Sequence, residues 1–279
     1  MLNKSRLLSF IDKNNEFTLH FVEGQKLVED LAMIHNLKGN GFAYFRDSVL
    51  SFIPLITLLK YGENLGLYID NTDPYFLLKI EMSEAGFFRT LLLPETLNEF
   101  PTTLKGEARL SKIRQGQTSP YTSIIGINEL NFHEIVNEVL RTSYQIEGTI
   151  ILSEDADQAA FLMKLPRKNW DKEESTQEEP DIEKFKATIT PKLDQLFKQG
   201  LNEEEQVKTF LTDQGLTFLN GKDLDFKCNC SYERMVSGVQ SLLNTSHIDD
   251  IYEGKESIET RCDYCKTYYQ IPKSQFLKN

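Results

Sequence analysis

Cys228, Cys230, Cys262 and Cys265 are the only cysteines in a chain of 279 residues, and they fall in two close pairs, Cys-x-Cys and Cys-x-x-Cys. A pair at either spacing turns two sulfurs toward one ion. Two such pairs complete the four-sulfur tetrahedral shell that zinc takes in structural sites. Thiols used as small core hydrophobes have no reason to pair at intervals this short. A disulfide scaffold of the secreted kind is also disfavoured, because four cysteines are sparse for this length. The expected metal ligands are therefore Cys228, Cys230, Cys262 and Cys265, with Zn2+ as the cofactor. Residues 231–261 form the loop that returns the chain to the ion. His247 lies in that loop, but four thiolates already fill the shell.

The elements that must position the cysteines follow from periodicity. Met235, Val239, Leu242 and Leu243 mark a short helix between the pairs, with another turn or two at Ile248 and Ile251, and Cys262–Ile271 reads as a hairpin. Upstream, Gly215–Phe226 reads as an extended stretch that delivers the chain to Cys228. Helices are expected at about 181–199, stopped by Gly200, and at about 202–213, opened by an acidic first turn. From Asp171 to Lys184 the composition turns strongly acidic with a single aliphatic residue, Ile182, and such a segment reads as an exposed linker.

Residues 1–170 are strand-rich. Phe17, Leu19 and Phe21 alternate with Thr18 and His20, predicting a strand with one buried face and His20 on the solvent side. The opening Met1-Leu2-Asn3-Lys4-Ser5-Arg6 leads into only a short apolar patch before Asp12 and Lys13. Leu27, Leu31 and Ile34 predict a helix, and a more apolar one is expected at about 43–60, with Pro54 a kink unless it falls in a first turn. Strands follow at 66–70, 75–81, 87–93, 104–112 and 121–127. An amphipathic helix then carries Phe132, Ile135, Val136 and Leu140, with His133 and Glu134 on a solvated edge. A hairpin at 146–152 and 158–164 completes this part. The fold class is α+β: a strand-rich core domain with packed helices over 1–170, an acidic then helical linker over 171–226, and a small four-cysteine zinc domain over 227–279.

Charge and motif content exclude several functions. The chain carries 31 basic and 42 acidic residues, a net charge of −11, so nucleic acid is repelled at long range. No local patch offsets this, since seven basic residues between Lys227 and Asn279 are matched by seven acidic ones. The longest apolar run, Val49–Leu59, is too short to span a bilayer. No leader-like segment opens the chain, so a reducing cytoplasm is the expected compartment. Before residue 171 there is no nucleophile with a positioned base, no phosphate-cradling glycine loop and no His/carboxylate metal set. An enzyme is not expected.

Phe226-Lys227-Cys228-Asn229-Cys230-Ser231, Glu233-Arg234, and Cys262-Asp263-Tyr264-Cys265 with Tyr269 four residues on resemble the zinc domain of the heat shock protein 33 family, the redox-regulated 33 kDa chaperonins. The order Cys-x-Cys before Cys-x-x-Cys is unusual among zinc modules. The 181–213 helices look like the family's linker, and Tyr121–Gly126 with Ser143-Tyr144-Gln145 is similar to one of its core segments. Asn71-Thr72-Asp73-Pro74 and the bulky Phe52, Ile53 and Leu55 depart from its usual glycine-rich turn and smaller helix residues. The resemblance implies an ATP-independent holdase, inactive while reduced and metal-bound. Oxidation would join Cys228 with Cys230 and Cys262 with Cys265, expel zinc, and expose apolar surface to unfolding client proteins, with a homodimer possible. The alternative is a structural zinc ribbon for protein interaction without redox switching. A thiol oxidoreductase is disfavoured, because its Cys-x-x-Cys should open a helix after a strand.

Overall fold

The structure is a computed structural model, and it describes residues 2–14, 16–95, 98–154, 156–166 and 180–277. Most of the acidic run, 171–179, lies outside the described residues. The chain divides into two compact units, Met1–Phe226 and Lys227–Asn279.

In the first unit, β1 (Ser5–Ile11) and β2 (Phe17–Glu23) lead into α1 (Gln25–Ile34) and α2 (Asn40–Phe52). Strands β3 (Glu63–Thr72), β4 (Tyr75–Ser83), β5 (Phe87–Leu93), β6 (Leu104–Arg114) and β7 (Tyr121–Leu130) follow, then α3 (Phe132–Val139). The hairpin β8 (Gly148–Leu152) and β9 (Gln158–Lys164), the helices α4 (Ile182–Gln199) and α5 (Glu204–Asp213), and β10 (Thr217–Phe226) complete it. The strands form a single ten-stranded sheet in the order β7-β6-β3-β4-β5-β10-β1-β2-β9-β8. The architecture is α+β, as the strand-rich sequence with its helical segments predicts.

Two apolar layers sandwich one half of this sheet. On one face α1, α2 and α3 supply Leu27, Leu31, Phe45, Val49, Ile135 and Val136 to a core that also takes Leu7, Val22 and Phe161 from the strands. On the other face Ile189, Leu193, Leu196 and Phe197 of α4 and Val207 and Leu211 of α5 cover Leu8, Phe10, Leu19, Phe21, Ala160 and Leu162. No residue of β3 to β7 belongs to that second core. The strands record the difference: β4 alternates buried and partly exposed positions, whereas every residue of β2 is buried.

The two-sided burial corrects the reading of His20. It is not on a solvent face but only 6% exposed, stacked on Phe161 and hydrogen-bonded through Nδ1 to Ser9 Oγ at 2.9 Å. The same burial explains why β1 escapes a periodicity search, since a strand covered on both faces reads as an apolar run rather than an alternation. Strand β10 is more than a lead-in. It pairs antiparallel with β1 along its length and parallel with β5 through Asp225 and Phe226, and so joins the two halves of the sheet. Gly86 makes that junction possible. Its φ is +92°, a Cβ there would lie 2.1 Å from the Asp223 carbonyl oxygen, and its own carbonyl accepts from Asp225 N–H at 2.9 Å.

Local chemistry sets the helix ends. The apolar stretch after Ala43 does not run as one helix: α2 stops at Phe52 and Ile53–Leu58 continues as a 3₁₀ turn with Pro54 in its first turn, where a missing N–H costs nothing. Glu134 is not merely a solvated edge. It closes a capping box with Asn131, each side chain accepting from the other's backbone N–H at 2.8 and 3.0 Å. Asp181 caps α4 and Gly200, at φ +62°, ends it.

Burial holds the His20 imidazole down from 6.5 to about 4. The folded protein therefore resists a proton that the unfolded chain accepts, so its stability is complete above pH 6.5 and falls as pH drops toward 4. Glu23 and Asp157, raised above the ordinary range mainly by burial, act in the opposite sense. Urea unfolding of wild type and His20→Gln at pH 7 and pH 5 isolates the histidine: wild type should lose about 2 kcal/mol more than the variant over that interval. Equal losses would show that His20 does not stay neutral in the folded state.

Candidate metal centre

The second unit is built around a core of three buried residues, Val239, Tyr252 and Ile271, with Tyr232, Met235, Val236, Leu243, Ile248, Ile251, Ile258 and Phe276 partly buried around them. Its elements are α6 (Tyr232–Leu242), α7 (Ile248–Tyr252), and an antiparallel hairpin of β11 (Ser257–Arg261) and β12 (Tyr268–Pro272). Cys228 and Cys230 lie in the extended stretch just before Ser231, whose side chain caps α6 by accepting from Arg234 N–H at 3.3 Å. Cys262 and Cys265 sit in the turn between β11 and β12. That turn is closed by Lys266 N–H on the Cys262 carbonyl at 2.8 Å and Cys262 N–H on the Thr267 carbonyl at 2.9 Å. Lys266 adopts φ +59°, a conformation that costs a residue with a Cβ about 1 kcal/mol and brings the chain back on itself.

All four sulfurs lie within 4.8 Å of one another. Cys228 Sγ is 3.7 Å from Cys262 Sγ and Cys230 Sγ is 3.3 Å from Cys265 Sγ. A zinc ion about 2.3 Å from each of four sulfurs sets neighbouring sulfurs roughly 3.8 Å apart, so the cluster matches the size and donor chemistry of that ion. Cys262 is buried and the other three are half-buried. The sequence-predicted ligands are thus brought together as a group that can hold a metal ion. His247 stays outside it, with a side chain 81% exposed beside Asp249.

The sulfurs do not share one environment. Burial pushes the Cys228 thiol up to about 12. Burial also raises Cys230, against the lowering effect of a hydrogen bond with Tyr269. At Cys265 burial again acts upward, but hydrogen bonds with the Thr267 hydroxyl and amide and with the neighbouring cysteines outweigh it and bring the thiol to about 7. Tyr269, bonded to Cys230 through Oη at 3.1 Å, is itself pushed up to about 12, chiefly by that contact. Thr267 Oγ1 lies 3.2 Å from Cys265 Sγ. The sequence places Tyr269 in the expected Cys262–Ile271 hairpin and in the family resemblance, and singles out neither it nor Thr267 as a partner of a sulfur. Their signal was present all the same: both are hydroxyl residues close after Cys265, Thr267 in the turn just before β12 and Tyr269 within that strand.

The fold and cluster together define an α+β chain with a separate C-terminal module built on four cysteines. A family model described as Hsp33 protein matches residues 5–272, and the chain belongs to that family. It is 20% identical to the 33 kDa chaperonin of Aquifex aeolicus over 95% of this chain and 86% of that one. It is 26% identical to the 33 kDa chaperonin of a Cyanothece species over 57% of this chain, spanning about half (54%) of that relative's length. The crystal structure of the 33 kDa chaperonin from Thermotoga maritima superposes with a TM-score of 0.76, at 15% identity, over 98% of this chain and 96% of that one.

A three-residue core is too small to hold some 50 residues folded unaided. Reduced protein should therefore carry one equivalent of metal by elemental analysis, and Cys262→Ser should lose it. The same variant should lose the far-UV signal of the second unit, because a structural metal contributes on the order of 10 kcal/mol. A metal-free wild type with an intact second unit would refute the assignment.

Proposed function

We propose that this chain is a redox-regulated, ATP-independent holdase whose metal centre is zinc held by Cys228, Cys230, Cys262 and Cys265. The observation that carries the reading is the convergence of four sulfurs over a core of three buried residues. Membership of the Hsp33 family, whose curated relatives are named 33 kDa chaperonin, supplies the chaperone function. The work is done in the cytoplasm, on unfolding client proteins, and not on nucleic acid or a membrane. No described helix is long and apolar enough to cross a bilayer.

Bound zinc supplies a cross-link of roughly 10 to 16 kcal/mol apparent free energy, more than the stability of most whole domains. Everything else is chemistry of the thiols. A thiolate attacks the O–O bond of peroxide to give a sulfenic acid, and its neighbour displaces water to form the disulfide. Two thiols and one hydrogen peroxide yield one disulfide and two waters. The disulfides are assigned as Cys228–Cys230 and Cys262–Cys265 on the family resemblance, since all four sulfurs are within mutual reach. With both pairs converted no thiolate remains to hold an ion, and the second unit unfolds.

Residues 171–226 are proposed as the segment that responds, with homodimers forming in the oxidised state. The apolar surface available for clients is the one that α4 and α5 cover: Leu8, Phe10, Leu19, Phe21, Ala160 and Leu162. Six side chains of those helices are buried against it, a gross stabilisation of roughly 10 kcal/mol or more. Shedding them therefore takes heat or a client in addition to oxidation.

Light scattering of a thermally unfolding client tests the function. Oxidised, zinc-free protein should suppress aggregation and reduced, zinc-loaded protein should not. Equal suppression in both states would indicate a constitutive holdase, and none in either a structural zinc ribbon. Leu193→Ala, which removes a fully buried contact worth about 2 to 5 kcal/mol, should bring full suppression at a lower temperature. A variant that needs the same temperature as wild type would argue against α4 as the cover.

A further inference from the structure

Each cysteine pair contains one sulfur that meets a side-chain hydroxyl. Cys230 has Tyr269 Oη at 3.1 Å and Cys265 has Thr267 Oγ1 at 3.2 Å. The sulfurs of their partners Cys228 and Cys262 lie 3.7 Å from each other. The two hydroxyls come from the same short stretch of chain, on alternate residues, and point at sulfurs from different pairs. The Tyr269 contact is the longer-range of the two. It joins residues 39 positions apart and ties the Cys-x-Cys stretch before α6 to the hairpin that carries Cys-x-x-Cys.

The hairpin is a firm base for that tie. Tyr269 stands opposite Thr260 in the β11–β12 ladder, and the Thr260 hydroxyl donates to its carbonyl at 3.5 Å. The phenol is thus placed by backbone pairing rather than by the sulfur it contacts. A hydroxyl aimed at a thiolate withdraws electron density from it and fixes its direction. Groups that hydrogen-bond to metal ligands in this way set how firmly the metal is retained.

We propose that Tyr269 is a positioning residue of the metal centre: its hydroxyl donates to Cys230 Sγ, holds that sulfur in register with the hairpin pair, and sets how tightly the site keeps zinc. The Cys265 thiol donates to Thr267 Oγ1 at 3.2 Å, and once that sulfur is a thiolate the same hydroxyl turns to donate and holds it likewise. The proposal rests on the four-cysteine zinc reading above. It adds that resistance to losing the metal is set by two hydroxyl residues that are not themselves ligands.

The test uses full-length, reduced, zinc-loaded protein and two readouts that do not depend on chaperone activity. In chelator competition, Tyr269→Phe, which keeps the ring and removes only the hydroxyl, should lower zinc affinity about 10- to 100-fold. Thr267→Val should also lower it, and Thr267→Ser, which restores a hydroxyl, should recover it. Iodoacetamide labelling resolved by mass mapping should then rise several-fold at Cys230 in Tyr269→Phe and at Cys265 in Thr267→Val. Labelling that rises equally at all four cysteines would mark a general loosening and overturn the proposal. So would zinc affinity within twofold of wild type in Tyr269→Phe. Wild type that holds no zinc at all would instead sink the metal-centre reading and this proposal with it.

Discussion

The four sulfurs of the second unit converge on one point. Among the described residues, Val239, Tyr252 and Ile271 are the buried members of its apolar cluster, too little surface to offset the ordering of some 50 residues. The same groups that make the module foldable are chemically labile. A thiolate is at once the best zinc ligand and the most readily oxidised side chain. On the proposed reading, structural dependence and redox sensitivity are one property of the cluster.

The first unit is constrained differently. Its ten strands form one sheet, yet only the half containing β1, β2 and β9 has apolar layers on both faces. The second of those layers comes from α4 and α5, which enter late in the chain, and β10 is then threaded between β5 and β1. The residues just ahead of Cys228 are thus part of the sheet's interior order. Lys227 begins the cysteine module one residue beyond the end of that strand.

Electrostatics at the cluster reinforces the packing. As thiolates, four sulfurs in a chain of net charge −11 would repel one another and their surroundings, and a bound divalent cation would answer only part of that charge. The hydroxyls of Tyr269 and Thr267 and the amide of Thr267 answer more of it locally. That lets sulfurs as close as 3.3 Å share one site.

Short-range signals carried much of this protein in the open. The cysteine spacing pointed to a cluster that could hold a metal, Gly200 and Asn202-Glu203-Glu204-Glu205 marked where α4 ends and α5 begins, and short runs bounded by turn residues disclosed β3 to β7. Each depends on residues within a few positions of one another. Other features depend on pairings between residues far apart in the chain: the buried place of His20, the existence of β1, the insertion of β10, and the phenol that reaches back from Tyr269 to Cys230. A strand covered on both faces is misread until its second cover is known: β1 looks like an apolar patch, and β2, which alternates Phe17, Leu19 and Phe21 with Thr18 and His20, looks covered on one face only. That cover, α4 with α5, lies well over a hundred residues downstream of β1 and β2, so only the folded chain decided which side chains it would enclose.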